Sequence, residues 1–188
     1  MSYLGADWLT RPERIEEEQP DKMLAALHVR PGMVVADIGA GVGYHALRLS
    51  PIVGPEGRVY ATDLQPEMLE LLRKAASARG VTNVIPALSS DTATGLPAGA
   101  VDLALMVDVY HELEFPYEVL ASIVRALKPG GRVAFVEYRA EDPNVPIKAL
   151  HKMSEAQVKR EAAVHPLVWE RSIETLPWQH VLVFRRRE

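Results

Sequence analysis

The chain of 188 residues contains no cysteine, and this absence excludes disulfide bonds and thiolate metal sites. The sequence also has no apolar run near the ~18 residues that a membrane span requires. A net charge of −4 provides no excess of clustered Lys and Arg, which binding to phosphate backbones requires. The N-terminus has no basic segment followed by an apolar one, so it does not read as a targeting signal. We therefore expect a cytoplasmic protein without a membrane partner or a nucleic-acid partner.

The composition, with 48% apolar and 24% charged residues, is ordinary for a globular protein. Apolar strand-like runs alternate with amphipathic helical runs, which predicts an α/β fold: a Rossmann-like, doubly wound, mostly parallel sheet with helices on both faces. We expect a single domain over residues 1–188, made of an N-terminal helix or lid segment (1–30), a core (31–138) and a C-terminal helix with a strand pair (139–188). Strands are predicted near Val34–Ile38, Val59–Thr62, Asn83–Ala87, Val101–Val107, Arg132–Tyr138, Leu167–Ile173 and His180–Phe184, and helices near Glu16–His28, Pro66–Gly80, Pro116–Leu127 and Lys148–Ala163.

A glycine-rich loop follows the first predicted strand. Gly39, Gly41 and Gly43 alternate after Asp37, and a second apolar run ends at Asp63, about 20 residues beyond the loop. Glycines allow the backbone to turn sharply and to approach a ligand closely, because no side chain blocks it. A carboxylate at the tip of the next strand can accept hydrogen bonds from both hydroxyls of a ribose. The pairing of loop and acid predicts a site for a nucleotide-like cofactor.

Two cofactor classes use this layout, and two residues separate them. A dinucleotide fingerprint carries a third glycine inside the helix, where this chain has Tyr44. Asp37 stands directly before the glycines, where a negative charge repels a pyrophosphate but suits a ligand with an ammonium and a sulfonium. The sequence therefore favours a cationic ligand over a dinucleotide.

Val34 to Gly43 resembles the first motif of the class I S-adenosylmethionine-dependent methyltransferases, and four further motifs follow in order as far as Tyr138. Within that class the chain is most similar to small UbiE-like and arsenite-methyltransferase-like bacterial proteins, although it lacks the thiols on which arsenite methylation depends. The resemblance implies S-adenosyl-L-methionine as cofactor and a seven-stranded sheet with an antiparallel terminal strand. It also implies that Asp63 binds the ribose and that Asp91 meets the adenine amine, unless Asp91 only caps a turn. The full set of cofactor-binding residues expected from the resemblance is Asp37, Gly39, Gly41, Gly43, Asp63, Leu64, Asp91 and Asp108.

The loop after the fourth predicted strand holds the candidate catalytic residues, because ligands of open α/β sheets bind beyond the carboxyl ends of the strands. His111, with an ordinary pKa near 6.5, is suited to take a proton from a phenol, enol or amine, and Tyr110 is suited to orient that acceptor. The alternative for His111 is packing against the loop with a bond to a backbone carbonyl. Asp108 is expected near the methionine end of the cofactor or as a loop cap.

Other polar residues admit two interpretations. The strand end at Glu137 to Arg139 faces the pocket or forms structural ion pairs. Tyr3, Trp8 and Arg11 belong to a lid over the cofactor or to a plain surface arm. His151 lies in a segment that walls the substrate pocket in related enzymes, yet the spacing of the histidines does not place three ligands on one metal, so the sequence predicts no metal site.

Four functional hypotheses follow from these residues. The leading one is methyl transfer to an oxygen, carbon or nitrogen nucleophile of a small molecule. The second is methylation of protein or RNA, although the tetrapeptide Asn-Pro-Pro-Tyr/Phe that clamps planar amides and amines is absent. The third is a catalytically silent S-adenosylmethionine-binding protein, and the fourth is a nicotinamide oxidoreductase. The oligomeric state does not follow from the sequence.

Overall fold

The computed structural model describes residues 3–188. Its strands are β1 (Val34–Ile38), β2 (Arg58–Asp63), β3 (Val84–Leu88), β4 (Val101–Val107), β5 (Leu127–Arg139), β6 (Lys152–Met153), β7 (Leu167–Ile173) and β8 (Gln179–Arg186). Its α-helices are α1 (Arg14–Glu18), α2 (Pro20–Ala26), α3 (Ala46–Val53), α4 (Pro66–Ala78), α5 (Pro116–Ala126) and α6 (Glu155–Ala162). Short 3-10 helices cover Tyr3–Thr10, Tyr110–Glu112 and Ala149–His151.

The strands form one sheet in the order β3-β2-β1-β4-β5-β8-β7, with the two-residue β6 added beside β5. β8 runs antiparallel to both of its neighbours, and the other pairs of adjacent strands are parallel. The strand order reverses between β1 and β4, so the loops that leave these two strands diverge and open a crevice at their carboxyl ends. This crevice is where the sheet positions a ligand.

Apolar side chains cover both faces of the sheet, as a doubly wound fold requires. On one face Val35 packs among residues of α2, α3 and α4, including Leu24, Leu49 and Leu72. On the other face Ile38 packs among residues of α5 and α6, including Leu120. None of the helices within residues 3–188 is long and apolar enough to cross a bilayer.

The predicted fold class is confirmed, including the antiparallel strand near the end of the chain. The predicted Glu16–His28 helix is wrong, because Gln19 takes a left-handed φ of +47° before Pro20 and divides it into α1 and α2. The predicted Lys148–Ala163 helix is also wrong in its first half. The chain there forms a 3-10 turn and then pairs with β5, and α6 begins only after Ser154, whose Oγ accepts a hydrogen bond from the Gln157 N–H.

Candidate active site

A cavity of about 620 Å³ opens at the carboxyl ends of β1, β2 and β4. It lies at the crevice that the reversal of strand order creates, and the N-terminal segment covers one of its sides. Eight of the ten site residues expected from the sequence line it, namely Asp37, Gly39, Gly41, Asp63, Leu64, Asp91, Asp108 and His111.

The glycine loop approaches its neighbours too closely for larger side chains. Gly39 has a φ of +66°, and a Cβ placed there would lie 2.7 Å from the side chain of Val109. Gly41 has a φ of +54°, and its Cβ would lie 2.8 Å from Leu9 in the N-terminal segment. Both positions favour glycine through their backbone conformation as well as through space.

Asp63 ties the end of β2 to the glycine loop. Its Oδ2 accepts a hydrogen bond from the Gly41 N–H at 2.9 Å, and its Oδ1 accepts one from the Gln65 N–H at 2.9 Å. A carboxylate offers about four lone-pair directions, so each oxygen can accept one more bond from a ligand. The carboxylate is thus held in a fixed orientation at the cavity wall, which fits a pair of ribose hydroxyls.

Asp37 brings negative charge to the floor of the cavity. Burial raises its pKa to about 7, and the Ala46 N–H and the Arg14 charge oppose that rise. Within residues 3–188 its buried Oδ2 has no hydrogen-bond partner. A buried carboxyl group with an open acceptor fits a positively charged ligand, because such a ligand compensates the cost of burying the ionised form.

Part of the N-terminal segment, including Arg14 and Glu18, lines the cavity. Arg14 and Glu18 form a buried ion pair with 2.7 Å between Nε and Oε1. The Arg14 guanidinium lies 4.2 Å from the Tyr44 ring centroid, and the Tyr138 hydroxyl donates to Glu18 at 3.4 Å. The i,i+4 spacing of Arg14 and Glu18 was the only sign of this pair in the sequence.

Residues from three segments that are distant in sequence meet on the other side of the cavity. His111 Nδ1 lies 2.6 Å from Glu137 Oε2, and the Tyr110 backbone N–H donates to Glu137 Oε1 at 2.9 Å. His111 Nε2 lies 3.1 Å from His151 Nδ1. The Glu137 side chain is fully buried, so its bonds hold the His111 ring in one orientation. Glu137 is a charged residue inside the otherwise apolar stretch 133–138, and it was the sequence signal for this arrangement.

Asp108 stands between the two sides, in a left-handed conformation with a φ of +54°. Its Oδ2 accepts a hydrogen bond from Gln179 Nε2 at 2.7 Å, whereas its buried Oδ1 has no partner in the described part of the chain. Burial raises its pKa, and the negative charges of Glu18 and Glu137 raise it further. Asp108 does not cap the following 3-10 helix, which begins after Val109.

Two of the expected site residues do not line the cavity. The Tyr110 ring packs edge-on against Phe135 in the apolar core, and its hydroxyl is next to Glu161, so Tyr110 is not placed to orient an acceptor. Gly43 faces α4, where a Cβ would lie 2.0 Å from Leu72, so this glycine allows close packing of helix and loop. Both differences arise from the packing of neighbouring elements, which the motif does not encode.

Residues 36–135 match the family described as methyltransferase domain. The chain belongs to this family. The matched range runs from β1 into β5 and so includes the glycine loop, Asp63 and His111. The fold and the family together identify the domain as a class I S-adenosylmethionine-dependent methyltransferase domain with S-adenosyl-L-methionine as its cofactor, and the unpartnered oxygen of Asp37 and the fixed carboxylate of Asp63 fit that cationic nucleoside.

Comparison with individual proteins agrees with the family. A solved S-adenosylmethionine-dependent methyltransferase from Aquifex aeolicus superposes with a TM-score of 0.92 at 27% identity, covering 98% of both chains. The methyltransferase domain is also 34% identical over 115 residues to a protein-L-isoaspartate O-methyltransferase from Aeropyrum pernix, covering 60% of this chain and 41% of the relative. A ubiquinone/menaquinone biosynthesis C-methyltransferase UbiE from Pseudomonas putida is 32% identical over 111 residues, with 58% and 43% covered. The chain thus spans less than half the length of these curated relatives.

Proposed function

We propose that the protein transfers the methyl group of S-adenosyl-L-methionine to a nucleophilic oxygen, carbon or nitrogen of a small molecule. The observation that carries this proposal is one continuous cavity with a nucleoside-binding side, at Gly41 and Asp63, and a polar side at His111. When bound, the cofactor supplies a methyl group on a sulfonium, whose carbon–sulfur bond breaks as the lone pair of the acceptor forms the new bond to carbon. Orientation of the two reactants accounts for most of the acceleration in such an in-line displacement.

Some residues of the cavity bind the cofactor, and others act on the acceptor. Asp63 and the glycine loop hold the nucleoside, Asp91 meets its base, and Asp37 and Asp108 face the positively charged end. His111 acts on the acceptor through Nε2, because Glu137 engages its Nδ1 and leaves Nε2 turned toward the cavity and His151.

A small-molecule acceptor is supported by the walls of the cavity. Residues from the N-terminal and C-terminal parts of the chain line the cavity, among them Trp8, Leu9, Pro146, Ile147 and His151. A volume of about 620 Å³ is within the range of small-molecule and cofactor pockets.

A protein acceptor is the second candidate, because one of the relatives is a protein-L-isoaspartate O-methyltransferase. The experiment that separates the candidates measures S-adenosylhomocysteine release with a panel of phenols, quinols, enols and amines in one arm and isoaspartyl peptides in the other. Turnover only with the small molecules supports the proposal, and turnover only with the peptides overturns it. Tight S-adenosylmethionine binding without turnover on either arm identifies a silent binding protein.

A further inference from the structure

We propose that the cavity holds one divalent transition-metal ion, ligated by His111 Nε2, His151 Nδ1 and a carboxylate oxygen of Glu112. These three ligand atoms all lie within 4.8 Å of one another, with the two histidines half-buried and Glu112 exposed. The sequence predicted no metal site, because the ligands are separated by up to 40 positions and no local spacing unites them. The fold brings the 3-10 helices Tyr110–Glu112 and Ala149–His151 together at the acceptor side of the cavity.

The distance between the two imidazole nitrogens fits a shared ion. With bonds of about 2.0–2.1 Å, two nitrogens on one metal lie about 2.9 Å apart at a 90° ligand angle and about 3.4 Å apart at the tetrahedral angle. The observed separation of 3.1 Å between His111 Nε2 and His151 Nδ1 falls between these values.

Glu137 supports His111 in the way that outer carboxylates support metal-binding histidines. Its Oε2 accepts the Nδ1 proton of His111 at 2.6 Å, which leaves the Nε2 lone pair directed into the cavity. Such a carboxylate–histidine–metal arrangement fixes the tautomer and increases the basicity of the ligand. The full burial of Glu137 also places an ionisable acid where a nearby positive charge is favourable.

The donor set selects the class of ion. Two imidazoles and one carboxylate suit first-row divalent ions such as Zn²⁺, Co²⁺ and Fe²⁺, whereas Mg²⁺ and Ca²⁺ prefer oxygen ligands throughout. Three protein ligands leave at least one coordination position open toward the cavity.

The role of the ion rests on the proposed function. An acceptor oxygen bound at the open position loses its proton to solvent more readily, because the ion stabilises the oxyanion, and its lone pair then attacks the methyl carbon. His111 Nε2 is occupied by the ion in this arrangement, so the residue serves as a ligand in place of the general base expected from the sequence.

The test is a metal titration of the full-length protein after chelator treatment and desalting. Zn²⁺ binding is followed by calorimetry, and Co²⁺ binding by the visible ligand-field absorption that imidazole coordination produces. We expect one equivalent of either ion, a loss of at least about 100-fold in affinity for His151→Ala, and a loss of about 10- to 100-fold for Glu137→Gln. Glu112→Gln, at an exposed position, should also weaken binding, whereas His28→Gln on the opposite end of the sheet should not.

Two results would overturn the site: no stoichiometric binding of Zn²⁺ or Co²⁺ by the wild type, or unchanged affinity in both His151→Ala and Glu112→Gln. S-adenosylhomocysteine affinity is measured in parallel with chelator present. Cofactor binding without metal binding rejects the metal site and keeps the proposed function. Metal binding without cofactor binding keeps the metal site and rejects the proposed function.

Discussion

The cofactor side of the cavity and its acceptor side are built from different kinds of contact. On the cofactor side the decisive residues belong to one strand-helix-strand unit, and Gly41 and Asp63 bond to each other directly across it. On the acceptor side His111, Glu137 and His151 come from three separate segments and meet only in the folded chain. The residues of the cofactor side therefore lie close together in the sequence, whereas those of the acceptor side come together only through the tertiary fold.

Gly41→Val should cause the largest loss of cofactor affinity. A branched side chain at a φ of +54° meets Leu9 and fills the approach to the loop, so S-adenosylhomocysteine binding should become weaker than about 1 mM in calorimetry. Gly99→Val is the matched control, because Gly99 has a φ of +63° but nothing within 4 Å of its Cβ among residues 3–188. It should lose similar stability, ~1 kcal/mol or more, and retain the affinity. Normal affinity in Gly41→Val would mean that this loop does not face the ligand.

The acceptor side is broken by His111→Ala. Turnover with a productive acceptor should fall about 100-fold or more, while S-adenosylhomocysteine affinity stays nearly unchanged, because the residue acts on the acceptor alone. Glu118→Gln changes an exposed acid in the first turn of α5, outside the cavity lining, and should keep wild-type turnover. A His111→Ala protein with wild-type turnover would remove this residue from the reaction.

Asp63→Ala tests the contact that joins the ribose to the sheet. The loss of charge-assisted hydrogen bonds should weaken S-adenosylmethionine and S-adenosylhomocysteine alike by about 1.5–3 kcal/mol, or roughly 10- to 150-fold. Asp63→Asn keeps an acceptor oxygen and should lose less. Asp21→Ala, at an acid whose side chain is 86% exposed, is the control and should bind normally. Equal affinities in folded Asp63→Ala and wild type would contradict the cofactor placement.

The pH dependence of cofactor affinity tests the electrostatic role of Asp37, and we expect this effect to be the smallest of the four. Below its pKa of about 7, the Asp37 carboxyl group is protonated, and binding of a cationic ligand releases that proton. The affinity for S-adenosylmethionine should therefore rise as the pH approaches 7 and then stay constant. The rise is at most about tenfold per pH unit, since one proton is released. Calorimetry across this range measures it, and Asp37→Asn should flatten the profile.

The same group affects the free energy of unfolding of the ligand-free protein. Its pKa is raised from an ordinary 3.8, so the folded state binds more protons than the unfolded state between the two values. This contribution to stability is therefore full below about pH 4 and is lost as the pH rises through about 7. Urea denaturation of wild type and Asp37→Asn measures the difference, and a wild-type advantage that grows with pH in this window would contradict the assignment.

Most residues that the sequence predicts for the cofactor side line the cavity, because their positions obey local rules. Alternating glycines and an acid at the next strand end occupy fixed positions in any strand-helix-strand unit, so Asp37, Gly39 and Asp63 could be placed without tertiary information. Gly43 lies outside the cavity lining, since whether a loop glycine faces the cavity or Leu72 depends on how α4 packs.

The acceptor side could be predicted only in outline. The loop after β4 was identified by the position of strand ends, but Tyr110 turned into the core because Phe135 offers its ring an apolar contact. The pairing of His111 with His151, and the burial of Arg14 with Glu18, depend on contacts between separate segments of the chain, which neither periodicity nor spacing reveals.

A crystal structure with bound S-adenosylhomocysteine tests the two-sided cavity most directly. The account predicts both ribose hydroxyls within hydrogen-bond distance of the Asp63 carboxylate and the sulfur facing the space between Asp108 and His111. A ribose bound away from Asp63, or a sulfur directed away from His111, would contradict it.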